Sequence, residues 1–152
     1  RKKNADGTPV LKKRICGNRF EGTNIYKRGE YYYLFASIGT CCNGATSTYQ
    51  TVVGRSKNVL GPYLDKTGRD MLYDYCEIIM SGNETWAGPG HNSILIQDDV
   101  GTDWIIYHGY KKKEAENGRY VLMDKLIWSN DGWPSVKSNA PSILEVAPYF
   151  QK

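Results

Sequence analysis

Ile25-Tyr26-Lys27, Arg28-Gly29, then Glu30-Tyr31-Tyr32-Tyr33-Leu34-Phe35-Ala36 is the stretch that decides the fold. A short strand-forming run meets a glycine-bearing turn and continues as an aromatic second run, the pattern of a β-hairpin. Ser93-Ile94-Leu95-Ile96-Gln97, Asp98-Asp99-Val100-Gly101-Thr102 and Asp103-Trp104-Ile105-Ile106-Tyr107-His108 repeat the device with a longer loop. Further strands are expected at Thr48–Arg55 and Tyr120–Trp128, and a leading strand from Asp6 to Cys16. Turn signals separate these runs at Gly61-Pro62, Lys66-Thr67-Gly68, Asn130-Asp131-Gly132 and Trp133-Pro134. No stretch of a dozen residues carries apolar side chains at helical spacing, so the expected class is all-β.

The two hairpins also match in their surroundings. Gly22-Thr23-Asn24 precedes the first and Gly90-His91-Asn92 the second, 68 positions later. Tyr31 and Trp104 open the second strands, and Ser56 and Ser129 end the third, each pair 73 positions apart. A unit of about 70 residues thus occurs twice, at about 20–86 and 87–137, leaving 138–152 as a tail or closing strand. Four antiparallel strands per repeat is the pattern of a β-propeller blade; a repeated four-stranded sandwich is the competing architecture. A propeller ring closes with about 4–8 blades, and two units plus a leading strand fall short of that. Unstacked blade faces are apolar and seek partners. The expectation is a partial propeller domain over 1–152 that belongs to a longer protein or completes its ring with a second chain, including a second copy of itself.

The composition limits other readings. The 152 residues carry 20 Lys plus Arg against 16 Asp plus Glu, a net charge of +4. Apart from Arg1-Lys2-Lys3 and Lys111-Lys112-Lys113 the cations are scattered, which argues against a nucleic-acid partner. No apolar stretch is long enough for a membrane-spanning helix. The chain begins with Arg and shows no signal-peptide pattern, which fits a piece of a longer protein. Cys16, Cys41, Cys42 and Cys76 contain no CxxC pair, so a zinc site is not expected. Adjacent Cys41 and Cys42 are poorly placed to bridge each other. Four cysteines allow three connectivities, and free thiols are the expectation.

In a propeller the first strand of each blade lies at the axis, so the residues before it face an axial pocket. Here these are Phe20-Glu21-Gly22 and Gly88-Pro89-Gly90-His91-Asn92, and they place Glu21 and His91 at matching positions. A carboxyl beside the aromatic Phe20 and walled by a blade core suits a general acid, and an axial His suits a metal or a backbone hydrogen bond.

Several motifs resemble glycoside hydrolase family 43. They are Asn18-Arg19-Phe20-Glu21-Gly22, Tyr31–Ser37, Cys41-Cys42-Asn43-Gly44, Ser47-Thr48-Tyr49, Val53–Ser56, Gly61-Pro62-Tyr63, Gly88–Ser93, Asp103–His108 and Asp131–Pro134. The Cys-Cys-Asn-Gly and Gly-Pro-Gly-His-Asn-Ser runs resemble the arabinanases within it. The resemblance implies a five-bladed propeller that hydrolyses α-1,5-linked arabinan with inversion, exported to the periplasm or outside the cell. It implies that Glu21 is the general acid and that His91 binds an axial, largely water-coordinated calcium. It implies sugar contacts from Phe20, Cys41, Cys42, Asn43 and Arg119. The family's two catalytic Asp residues, one of them the general base, lie upstream of the Glu motif. The only Asp upstream here is Asp6, in the turn-like Asp6-Gly7-Thr8-Pro9. The family usually places Pro after Glu-Gly, where this chain has Thr23, so the loop holding the acid is less stiff. One carboxyl cannot both protonate the leaving oxygen and activate the water, so this chain alone is expected to be inactive. A non-catalytic carbohydrate-binding propeller, and a truncated piece that dimerises through blade faces, are the alternatives.

Overall fold

The computed structural model describes residues 3–9 and 12–151. Strands β1 (Glu21–Arg28) and β2 (Tyr31–Ile38) form the expected hairpin, with Arg28 opposite Tyr31 and Gly29 turning the chain at φ +56°. Strands β3 (Gln50–Ser56) and β4 (Glu77–Met80) extend it into an antiparallel sheet of order β1-β2-β3-β4. In the second sheet β5 (Trp86–Gly90) and β6 (Ile96–Gln97) lie in line along one edge of β7 (Asp103–Lys111), and β8 (Arg119–Lys125) pairs with its other edge. A short pair, β9 (Ile127–Trp128) and β10 (Pro134–Ser135), follows. The remaining regular structure among the described residues is four 3₁₀ segments, so the fold is all-β. None of the described helices is long and apolar enough to cross a membrane.

Three strand expectations shift. Ser93–Gln97 shortens to Ile96–Gln97, because the edge strand begins earlier, at Trp86, and Gly88 (φ +61°) and His91 (φ +53°) break it. Tyr120–Trp128 divides into β8 and β9 around Leu126. The leading strand from Asp6 to Cys16 is not formed by the described residues: Asp6 Oδ1 accepts the Thr8 N–H in a turn, and residues 12–16 are irregular. Val10 and Leu11 lie outside the described residues.

Successive residues on a strand point to opposite faces. Strand β2 is buried on both, from Tyr33 to Ile38, which is why its sequence is an almost unbroken apolar run. Tyr33 and Phe35 face a core shared with the second sheet, meeting Val53, Ile79 and Met80 on one side and Ile105, Tyr107, Leu126 and Trp133 on the other. Leu34 and Ala36 face a second core with Phe20, Val52, Tyr63 and Met71. Gly54 leaves room there for Met71, whose Sδ would lie 2.5 Å from an added Cβ.

Polar tethers add to the shared core. Buried Asp103 accepts the Tyr26 hydroxyl at 2.8 Å and the Trp128 indole N–H at 2.7 Å. The Tyr33 hydroxyl donates to Gly132 O at 2.6 Å. After a 3₁₀ turn at Lys137–Asn139 the tail runs on as an irregular strap: Ser81 N–H donates to Asn139 O, and Asp99 N–H to Tyr149 O.

Asp98 anchors both the β6–β7 turn and the strap. Burial pushes its carboxyl up, but the Trp104 indole N–H and the Thr102, Tyr149 and Val100 N–H groups outweigh that and hold it below its ordinary 3.8. Asp65 is held low in the same way, burial being outweighed by hydrogen bonds from Arg69 and Thr67. In the unfolded chain these carboxyls take up protons first as pH falls. Their contribution is therefore complete above pH 3.8 and is lost as pH drops through the lower folded values. Thermal melts should show an acid limb opening below about pH 4, reduced in Asp98→Asn.

Candidate active site

Glu21 opens β1 opposite Ser37, with a register bulge immediately after it where Gly22 takes φ +56°. Its exposed carboxylate accepts a hydrogen bond at Oε2 from the Tyr49 hydroxyl, 3.0 Å away. Tyr49 is 1% exposed and reaches across to the second sheet, where Gly90 accommodates it: a Cβ at Gly90 would lie 2.4 Å from the ring. Burial, then the bond to Glu21, push the phenol up to about 12, so it remains a donor.

His91 follows Gly90. Its N–H donates to Ser37 Oγ at 2.7 Å, and its ring lies over Gly22, where a Cβ would come within 3.0 Å of it. His108 on β7 stacks on His91 at 6.1 Å and on Tyr49 at 5.9 Å between ring centroids. Arg119 Nη1 lies 3.3 Å from His108 Nε2. A guanidinium only donates, so Nε2 accepts and the ring proton sits on Nδ1, which is buried without a partner. Burial, then Arg119 and His91, hold His108 below its ordinary value. Glu21, Tyr49, His108, His91 and Arg119 thus form one connected group across the two sheets.

The other expected site residues fall on either side of this group. Phe20 is 8% exposed and packs into the second core with Leu34 and Tyr63. Adjacent strand residues face opposite ways, so when Glu21 points to the site Phe20 points to the core. The loop after β2 is a rim. Asn43 N–H donates to Ser47 Oγ, which donates to Cys41 O, and Thr48 N–H donates to Thr40 O at the loop base. Gly44 faces Ala115, and Ser47 faces Gly88, so the rim rests on the second sheet near the segment leading to Arg119.

Cys41 and Cys42 are bonded to each other, against the expectation of free thiols and of poor geometry between neighbours. Their tight bend turns both side chains to one side. Cys16 and Cys76 are free and half-buried, and burial pushes both thiols up. Alkylation of the denatured, unreduced chain should add two groups, at Cys16 and Cys76, and four after reduction. Four before reduction would contradict the pairing.

Among the described residues, no three His, Cys, Asp or Glu side chains gather as a metal site. Close to His91 in the chain, Asn92 Oδ1 is buried without a partner, as is Oδ1 of Asn24, whose amide donates to Asn92 O.

The family model for glycosyl hydrolases family 43 matches residues 2–134. The chain belongs to that family. This family 43 chain is 45% identical over 118 residues to the extracellular exo-α-(1→5)-L-arabinofuranosidase ArbA of Cellvibrio japonicus, covering 78% of this chain and 33% of that protein. It is 41% identical over 120 residues to extracellular endo-α-(1→5)-L-arabinanase 1 of Bacillus subtilis, covering 78% and 35%. The structure of a Cellvibrio cellulosa α-L-arabinanase complexed with arabinohexaose superposes with a TM-score of 0.78 at 38% identity, covering 90% of this chain and 48% of that one. The family 43 chain therefore spans about a third of the curated relatives and about half of that solved structure.

Proposed function

We propose that this chain is the acid-bearing part of an inverting arabinan hydrolase. One observation carries the reading: in a family 43 chain, Glu21 stands at the head of β1 with its carboxylate gripped by Tyr49, in one group with Arg119. The names of its relatives, an exo-acting arabinofuranosidase and an endo-arabinanase, supply the substrate class, α-1,5-linked arabinan, and the extracellular location.

In this reading Glu21 protonates the glycosidic oxygen as the bond to the sugar breaks. Arg119 and the rim of Cys41, Cys42 and Asn43 contact the sugar. A second carboxylate about 6.5–9.5 Å from the first must activate the attacking water. The buried Asp residues here are committed elsewhere: Asp65 to Arg69, Asp98 to Trp104, Asp103 to Tyr26 and Trp128, Asp124 to Tyr107. Asp6 closes its turn. In this reading the general base comes from a part of the ring outside this chain.

The two sheets are read as two blades of a five-bladed propeller. Val121, Ile143 and Leu144, each at least 79% exposed, support a surface awaiting the remaining blades, whether from a longer chain or a second one. A calcium beside His91 would find the imidazoles of His91 and His108 and, among the described residues, no carboxylate cluster, while this cation prefers 6–8 oxygens. The arrangement fits only a mostly hydrated ion, for which the unpartnered Asn24 and Asn92 amide oxygens offer acceptors to bound water. When bound, it would supply positive charge at the axis.

The test is the stereochemistry of the product. With the amino-terminal half of the Cellvibrio japonicus relative added, proton NMR should show the β-anomer of the new reducing end first. Initial formation of the α-anomer would overturn the inverting assignment.

A further inference from the structure

We propose that Tyr49 is a positioning residue for Glu21: its hydroxyl holds Oε2, so that Oε1 is the oxygen that carries and delivers the proton. The proposal rests on the reading of Glu21 as the general acid and adds the device that aims it.

Glu21 is exposed and heads a strand beside a glycine bulge, so little else restrains its side chain. Tyr49, in contrast, cannot swing. Its ring is buried, backed by Gly90, and stacked on His108, which accepts from Arg119. Ser37, fully buried, sets its hydroxyl beside the phenol and receives the His91 N–H. A line of contacts therefore runs from the second sheet through Ser37 and Tyr49 to one oxygen of Glu21.

The chemistry follows from which groups can donate. The phenol stays protonated at any working pH, its ordinary value being pushed up to about 12 by burial and by Glu21. It donates to Oε2 and takes nothing from it. A carboxyl proton then belongs on Oε1, away from the phenol. In the reaction the Oε1–H bond breaks and the proton passes to the glycosidic oxygen. The C–O bond breaks with its electron pair going to that oxygen, and a water activated by a carboxylate on the rest of the ring attacks the sugar carbon. Glu21 is left as a carboxylate, and the Tyr49 bond strengthens as that charge develops, because bonds to ionised acceptors exceed neutral ones. Tyr49 thus favours the transition state as well as the aim.

Tyr49→Phe removes the hydroxyl and keeps the stacked ring. In carbon-detected NMR of this chain by itself, the Glu21 carboxyl carbon should show a deuterium isotope shift transmitted from the Tyr49 hydroxyl, absent in Tyr49→Phe. The same signal in both proteins overturns the proposal. In the ring completed as above, Tyr49→Phe should lower kcat on arabino-oligosaccharides about 10–100-fold with KM unchanged, the cost of a misaimed group. It should barely change kcat on an aryl arabinofuranoside with an acidic phenol leaving group, which needs no acid. Equal loss on both substrates would mark a merely structural role and overturn it. Glu21→Gln, run beside it, separates the two ideas. If Glu21→Gln lacks the leaving-group dependence, the acid assignment fails, and the NMR result still decides whether Tyr49 holds Glu21. If Glu21→Gln has it and Tyr49→Phe does not, the acid assignment stands and the positioning role fails.

Discussion

Glu21→Gln, in a ring completed by the amino-terminal half of a family 43 relative, lowers arabinan hydrolysis by about 10²–10⁴-fold, the range that one general acid contributes. Gln matches Glu in shape, and its amide oxygen can still accept the Tyr49 hydroxyl that now holds Oε2. The side chain is exposed, so the exchange buries no unpaired group. What it removes is the transferable proton. The loss should therefore appear in kcat with the melting temperature unchanged. The measurement is initial-rate kinetics on debranched arabinan beside a thermal melt. Near-normal turnover would remove Glu21 from the acid role.

Phe35→Ala should cost about 3–5 kcal/mol, the usual range for deleting a buried aromatic. Phe35 is fully buried, in the core where the two sheets meet. Its loss opens a cavity in the cluster that also holds Val53 and Met80 of one sheet and Ile105 and Tyr107 of the other. Against a typical total of about 5–15 kcal/mol, that is a large fraction of the stability. At about 2–4 °C per kcal/mol for a domain of this size, calorimetry should show a single transition lowered by about 6–20 °C. Two separate transitions, or a shift below a few degrees, would contradict a core shared between the sheets.

Ile25–Ala36 was legible because its pattern is local: a short strand, a glycine turn, and an apolar run long enough to bury both faces. The edge strand of the second sheet was only half legible. Gly88-Pro89-Gly90 does not look like a strand, because its glycines serve close approach to Ser47 and Tyr49 rather than local propensity. Among the described residues the expected leading strand gives way to a turn that Asp6 closes on Thr8, a local hydrogen bond that competes with strand pairing. Phe20 precedes Glu21 in the same motif, but alternation along the chain sends its ring to the second core. Glu21, His91 and Arg119 stood in recognisable motifs. Tyr49 and His108 stood in quoted motifs too, but which of their neighbours they meet depends on sheet packing and register, which one sequence does not encode locally. Cys41 and Cys42 were read from their spacing, whereas the bend that joins them is set by the loop closing on Ser47.

The central claim is that this chain brings the acid and the rest of the ring brings the base. It is tested most directly by reducing-sugar release from arabinan with the chain alone, with the amino-terminal half of the Cellvibrio japonicus relative alone, and with both mixed. The account predicts enzyme-like release from the mixture only, abolished when the mixed-in chain carries Glu21→Gln. Comparable release by the chain alone, lost on Glu21→Gln, would show that it holds its own base and would contradict the account.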